Sequence, residues 1–269
     1  VKLGFTLPTL QVDTELPLHV ARTAEATGGI DAVFAFDHLF RVGADGQDRP
    51  ALDGFSVLAA AAVATQRIEL GTLVARSTLR PPAVLANMFA TLQRISGGRV
   101  IAGIGSGDSE SRAEMDAFGL PFGDEAARVA SLDASVTATI GRDYPVWIGG
   151  HSTAVRALAA RTDGWNRWGG RLEEFATHAR ELRTQVGERA FAISWGGVVC
   201  IDETDAAANA KAERLGVGPT TIVGGPERVA EQLRAYGEAG ADWVIVGAFS
   251  ASDPDNVALI GERVAPLLA

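Results

Sequence analysis

The chain has 269 residues, of which 47% are hydrophobic, enough for one large core and within the size range of a single α/β barrel. The formal net charge is −9 with acids and bases interspersed, which argues against a nucleic-acid partner, because a phosphate backbone needs a basic surface. One cysteine, Cys200, excludes an internal disulfide and a multi-cysteine metal site.

Short apolar runs alternate with longer helical patterns from the first residues onward. In chain order, strands are expected at 2–6, 31–36, 68–74, 100–104, 146–149, 163–166, 192–200 and 243–246. Most of these runs are continuous rather than alternating, as befits a parallel sheet covered on both faces. Between them, apolar residues recur at three- and four-residue spacing, for example Leu18, Ala21 and Ala24, or Val84, Leu85, Met88 and Leu92. Eight strand–helix units at this length favour a closed (β/α)8 barrel over an open doubly wound sheet, in one domain spanning 1–269. The Gly-, Asp- and Pro-rich stretch 41–50 reads as a long loop after the second strand. Cys200, inside an apolar run, is expected to be buried. No stretch approaches the ~20 apolar residues that span a bilayer. The N-terminus reads into a strand and not into a signal peptide, so a cytoplasmic setting is expected.

Function in a barrel gathers just past the C-terminal ends of the strands. Asp37-His38 stands there after the second strand, and a histidine with its ordinary pKa near ~6.5 can give or take a proton at neutral pH. The same position also suits a partly buried histidine satisfied by a backbone carbonyl. After the fourth strand comes Gly105-Ser106-Gly107-Asp108, and after the fifth Gly149-Gly150-His151-Ser152-Thr153. Glycine turns let backbone approach a ligand, and the next helix offers unpaired N–H groups to an anion. Tight turns also use glycine for geometry alone, and Ser152 and Thr153 equally suit helix capping. The histidines His19, His38, His151 and His178 lack metal-ligand spacing, and His19 and His178 are expected on helix surfaces. The aromatics Phe36, Phe40, Trp165 and Trp168 are candidates to wall a planar ligand.

Several spaced segments resemble one family. Leu79-Arg80-Pro81-Pro82-Ala83-Val84, Thr91-Leu92-Gln93-Arg94-Ile95-Ser96-Gly97-Gly98-Arg99 and Gly103-Ile104-Gly105-Ser106-Gly107 are similar to the central signature of the bacterial luciferase-like oxidoreductases. Asp37-His38, Pro145-Val146-Trp147-Ile148-Gly149-Gly150, Asp163-Gly164-Trp165-Asn166 and Gly225-Pro226-Glu227 match in the right order. The resemblance implies a (β/α)8 barrel, a homodimer and a small-molecule substrate. It also implies a cofactor at the barrel mouth, either coenzyme F420 or FMN. By the same resemblance His38 stands beside the cofactor ring, Val74, Ala75 and Arg76 pass under it, and 105–108 line the cavity. The turn Gly149 to Thr153 would hold the phosphate, and Asp108 stands where deazaflavin members often carry glutamate. Three activities stay open: F420-dependent hydride transfer, an FMN-dependent monooxygenase fed by a separate flavin reductase, and a barrel without catalysis. The chain departs from relatives in joining the helix around Arg128 to the strand at Pro145 by the short stretch 129–144, which trims one wall of the mouth.

Overall fold

The computed structural model describes residues 1–42, 48–248 and 255–269. Its framework is a ring of eight parallel strands: β1 (Lys2–Thr6), β2 (Ala32–Ala35), β3 (Glu69–Thr72), β4 (Val100–Gly105), β5 (Val146–Gly149), β6 (Gly164–Trp168), β7 (Ala192–Ile201) and β8 (Trp243–Ala248). Neighbours in sequence are neighbours in the ring. Two pairings close it, β6 on β7 with Trp165 opposite Ile193, and β8 on β1 with Val244 opposite Leu3. The fold is therefore the closed (β/α)8 barrel and not an open sheet, and all eight expected strands lie in it.

Helices alternate with the strands on the outside: α1 (Glu15–Thr27), α2 (Gly54–Ala64), α3 (Pro82–Ser96), α4 (Arg112–Ala117), α5 (Glu125–Thr139), α6 (Thr153–Ala159), α7 (Leu172–Val186), α8 (Asp205–Leu215), α9 (Pro226–Glu238) and α10 (Asp255–Leu259). Their ends follow from local chemistry. Asp53 accepts the Ser56 N–H at 2.7 Å and starts α2, Asp124 does the same for α5, and Pro82 opens α3. Gly97 ends α3 in the left-handed conformation, φ 69°.

Two cores result. Phe34, Leu73, Ile101, Trp147, Trp243 and Ile245 fill the barrel interior, while a larger cluster packs the outer strand faces against the helices. Cys200 lies in β7 with 1% of its surface exposed, its backbone in register with Val223 of a short strand, Ile222–Gly224. That short strand was not expected. The stretch 41–50, expected to be a loop, has antiparallel flanks: Phe40–Val42 pairs with Asp48–Pro50. The residues 43–47 between them lie outside the described residues. Of the stretch 129–144, residues 129–139 belong to α5, and 140–145 lead into β5.

Candidate functional site

Asp37 and His38 follow β2 at the C-terminal mouth. Asp37 is buried, and its carboxylate accepts two bonds from Arg80, at 2.7 and 3.0 Å, and one from the Arg76 amide at 2.8 Å. Its carbonyl accepts Arg76 Nε at 2.9 Å. With every acceptor engaged, Asp37 ties the end of β2 to the segment after β3. His38 is half-buried, and its Nδ1 lies 2.7 Å from Glu114 Oε1 of α4. Glu114 Oε2 accepts the Leu39 N–H at 2.7 Å and Arg76 Nη2 at 2.8 Å. Burial pushes the Glu114 carboxyl up, but the His38 and Leu39 hydrogen bonds and the His38 and Arg76 charges outweigh it and hold it at about 2. An ionised carboxylate only accepts, so Nδ1 carries a hydrogen and Nε2 is the ring nitrogen outside this bond. Sequence reasoning missed Glu114 and Arg80. Glu114 lies 76 residues from His38, and no spacing rule connects the two.

The end of β3 closes on its neighbours through Val74. A Cβ added at Gly105 would stand 2.5 Å from Val74 Cγ2, and one at Gly149 would stand 2.8 Å from Cγ1. The three strand ends can meet there only because two of them lack side chains. The Leu73–Val74 peptide is cis, and Ala75 and Arg76 then pair with Ile104 and Gly105 of β4. Arg76 is buried, and its Nη1 has no hydrogen-bond partner among the described residues. Ser106 and Gly107 are half-buried, whereas Asp108 is exposed and accepts from the Ser111 amide and hydroxyl at 3.2 and 3.3 Å.

The turn after β5 forms a second corner, where Arg167 pairs with Glu174 and Arg156 with Glu181. Ser152 accepts the Val155 N–H at 3.4 Å and caps α6, so its capping role is realised. The His151 carbonyl accepts Arg156 Nη1, and its imidazole is pushed below the ordinary value by desolvation and then by the Arg167 and Arg156 charges, against Glu174 and Glu125. Gly150 and Thr153 frame this turn, Gly150 with its amide on Asn166 O at 3.1 Å and Thr153 exposed at the start of α6. Arg167 is 8% exposed, bonds Glu174 through Nη2 at 3.3 Å, and keeps a buried Nε without a partner among the described residues. The buried guanidinium N–H of Arg76, at the strand ends, fits an anionic or polar cofactor.

Of the aromatics, Phe36 and Trp168 meet at the mouth, ring centroids 5.4 Å apart and perpendicular. Trp165 instead faces the helices, stacked on Phe175 at 5.8 Å. His178 is half-buried against Trp165 rather than on the surface. Among the described residues no cluster of His, Cys, Asp and Glu could hold a metal, and no helix is long and apolar enough to cross a membrane. Two open clefts of about 530 and 520 Å³ touch none of the expected site residues; Gly28, Gly29 and Gly261 line the first, Tyr144, Trp147 and Trp243 the second.

Residues 16–132 match the luciferase-like monooxygenase family. An F420-dependent glucose-6-phosphate dehydrogenase of Beutenbergia cavernae is 44% identical over 109 residues, which cover 40% of this chain and 31% of that enzyme. An F420-dependent secondary alcohol dehydrogenase, solved with an F420–acetone adduct, superimposes with a TM-score of 0.81 at 15% identity, over 100% of this chain and 99% of the other. EDTA monooxygenase from Chelativorans sp. BNC1 superimposes with a TM-score of 0.81 at 16% identity, over 99% and 93%. At such identities the two structures speak for the fold, and the shared sequence speaks for kinship. The chain is thus similar to the luciferase-like oxidoreductases and monooxygenases, in sequence over residues 16–132 and in fold over its whole length.

Proposed function

We propose that the chain exchanges a hydride between coenzyme F420 and a small organic substrate at the C-terminal mouth of the barrel. The observation that carries this is the His38–Glu114 pair, which leaves His38 Nε2 as a proton-exchanging nitrogen at the mouth. The 44% identity to an F420-dependent enzyme, although local, favours F420 over FMN. Bound F420 supplies hydride exchange with an organic substrate, whereas bound reduced FMN would supply electrons to oxygen and call for a separate flavin reductase.

This chain's residues would divide the work. Val74, seated on Gly105 and Gly149, would support the ring, with Ala75, Arg76, Ser106 and Gly107 beside it. Gly149, Gly150, His151, Ser152 and Thr153 would take the phosphate. His38 would move the proton that accompanies the hydride, oriented by Glu114. Asp37, bound by Arg80 and Arg76, is assigned the anchoring of that histidine, and Asp108 a place on the rim. The outer faces of α2 and α3 expose Val63, Val84 and Ile95 side chains, an apolar surface suited to a second copy of the chain; a mass in solution of twice 28.1 kDa would be the expected reading.

Fluorescence titration with F420 and with FMN is the test. Saturable binding of F420 with none of FMN is expected. The reverse result would assign the monooxygenase reading, and failure of both would assign a barrel without this chemistry.

A further inference from the structure

We propose that Trp168 is the substrate-facing platform of the mouth and that it selects a flat, uncharged ring system, an assignment that rests on the cofactor reading above for the identity of the opposite wall. Side chains alternate along β6. Trp165 and Arg167 point to the helix layer, against Phe175 and Glu174 of α7. Asn166 bonds Ser194 Oγ at 2.9 Å, inside the barrel, and Trp168 continues on that inner side at the open end.

From there the indole crosses the mouth. A Cβ at Gly196 of β7 would come within 2.5 Å of Trp168 Cε3, and one at Gly247 of β8 would lie 3.5 Å from Cη2. Phe36, just past β2, meets the ring perpendicularly at 5.4 Å, and Phe36 is itself 6.3 Å from the His38 ring. Trp168 and Phe36 together thus span the mouth from β6 to β2, with Phe36 next to the His38 ring. Its backbone is held. The Gly169 N–H bonds Gly196 O at 2.6 Å, and Trp195, stacked on Tyr236 at 3.8 Å, bonds Gly169 O at 3.2 Å.

Trp168 is 38% exposed, while Trp147, Trp165, Trp195 and Trp243 are at most 5% exposed. A held indole, open to water above two glycines, leaves apolar area that a bound ring would cover. The perpendicular Phe36 makes a corner with one open face and one wall. A flat ring fills such a corner by lying on the first and meeting the second edge-on. Val74 would bound the slot from the β3–β5 side.

The test uses 15N-labelled protein, in which each of the five tryptophans gives an indole N–H signal, that of Trp168 being assigned from the spectrum of Trp168→Phe. Titration with 2-naphthol should move the Trp168 signal at a Kd about tenfold or more below that of cyclohexanol, the scale of one good aromatic pairing. In the variants, which lack that signal, the Gly169 backbone amide reports instead: Trp168→Ala should remove this preference while F420 or FMN affinity stays within about threefold, and Trp168→Phe should keep most of it. Equal binding of the two alcohols overturns the proposal, as does a tetramethylammonium ion moving the signal at lower concentration. The naphthol titration needs no cofactor, so a protein that binds 2-naphthol but neither F420 nor FMN loses only the cofactor reading. One that binds F420 and ignores 2-naphthol loses only this one.

Discussion

His38 and Glu114 sit on different strand–helix units, and their 2.7 Å contact fixes which imidazole nitrogen is engaged. Glu114→Gln keeps the shape of that contact and removes its charge. Turnover is expected to fall ~10- to 100-fold with KM nearly unchanged, and His38→Ala to cost ~10²-fold or more with cofactor affinity within about tenfold. Steady-state rates with whichever cofactor binds read both; unchanged turnover in His38→Ala would remove that residue from the chemistry. The same carboxylate marks the acid limb of stability. Its folded value near 2 lies below the ordinary 4.5, so its contribution is complete above 4.5 and is lost as the pH falls toward 2. Urea unfolding across that window should show a shallower pH dependence in Glu114→Gln than in the wild type. At this scale the sequence was half legible. Asp37-His38 stood out because it directly follows an apolar run. Glu114 and Arg80 did not, because a charge pair closed over tens of residues leaves no periodicity behind.

Elements were easier to read than residues, since the signal of a doubly covered strand is a continuous apolar run. Where the reading slipped, packing explains it. The third strand was expected to run to 74, yet it stops at Thr72, and Val74 packs onto Gly105 and Gly149. Ile222–Gly224, at three residues, is too short to rise above its surroundings. The Val74 seat carries its own prediction. Gly105→Ala places a methyl 2.5 Å from Val74 Cγ2 and should cost ~1–3 kcal/mol of stability by overpacking. Adding Val74→Ala removes the colliding atoms, so the double variant should be more stable than the sum of the two single losses. Strict additivity in denaturant titrations would show that the two side chains do not share the space.

Closure of the ring belongs to the whole molecule, and it was the least legible property. Nothing local distinguishes eight strands in a barrel from eight in an open sheet. The decision lies in β8 meeting β1, a pairing between opposite ends of the chain. β7 is the longest strand and bonds β6, β8 and Ile222–Gly224 together, so it acts as the seam of the second half. Cys200, the chain's lone thiol, is buried in that seam. A thiol reagent in excess can reach it only when the strands part, so its labelling rate counts openings rather than accessibility. If the seam opens only with the whole barrel, the opening free energy from labelling equals that from denaturant. A faster reaction would mean that this half of the barrel breathes on its own.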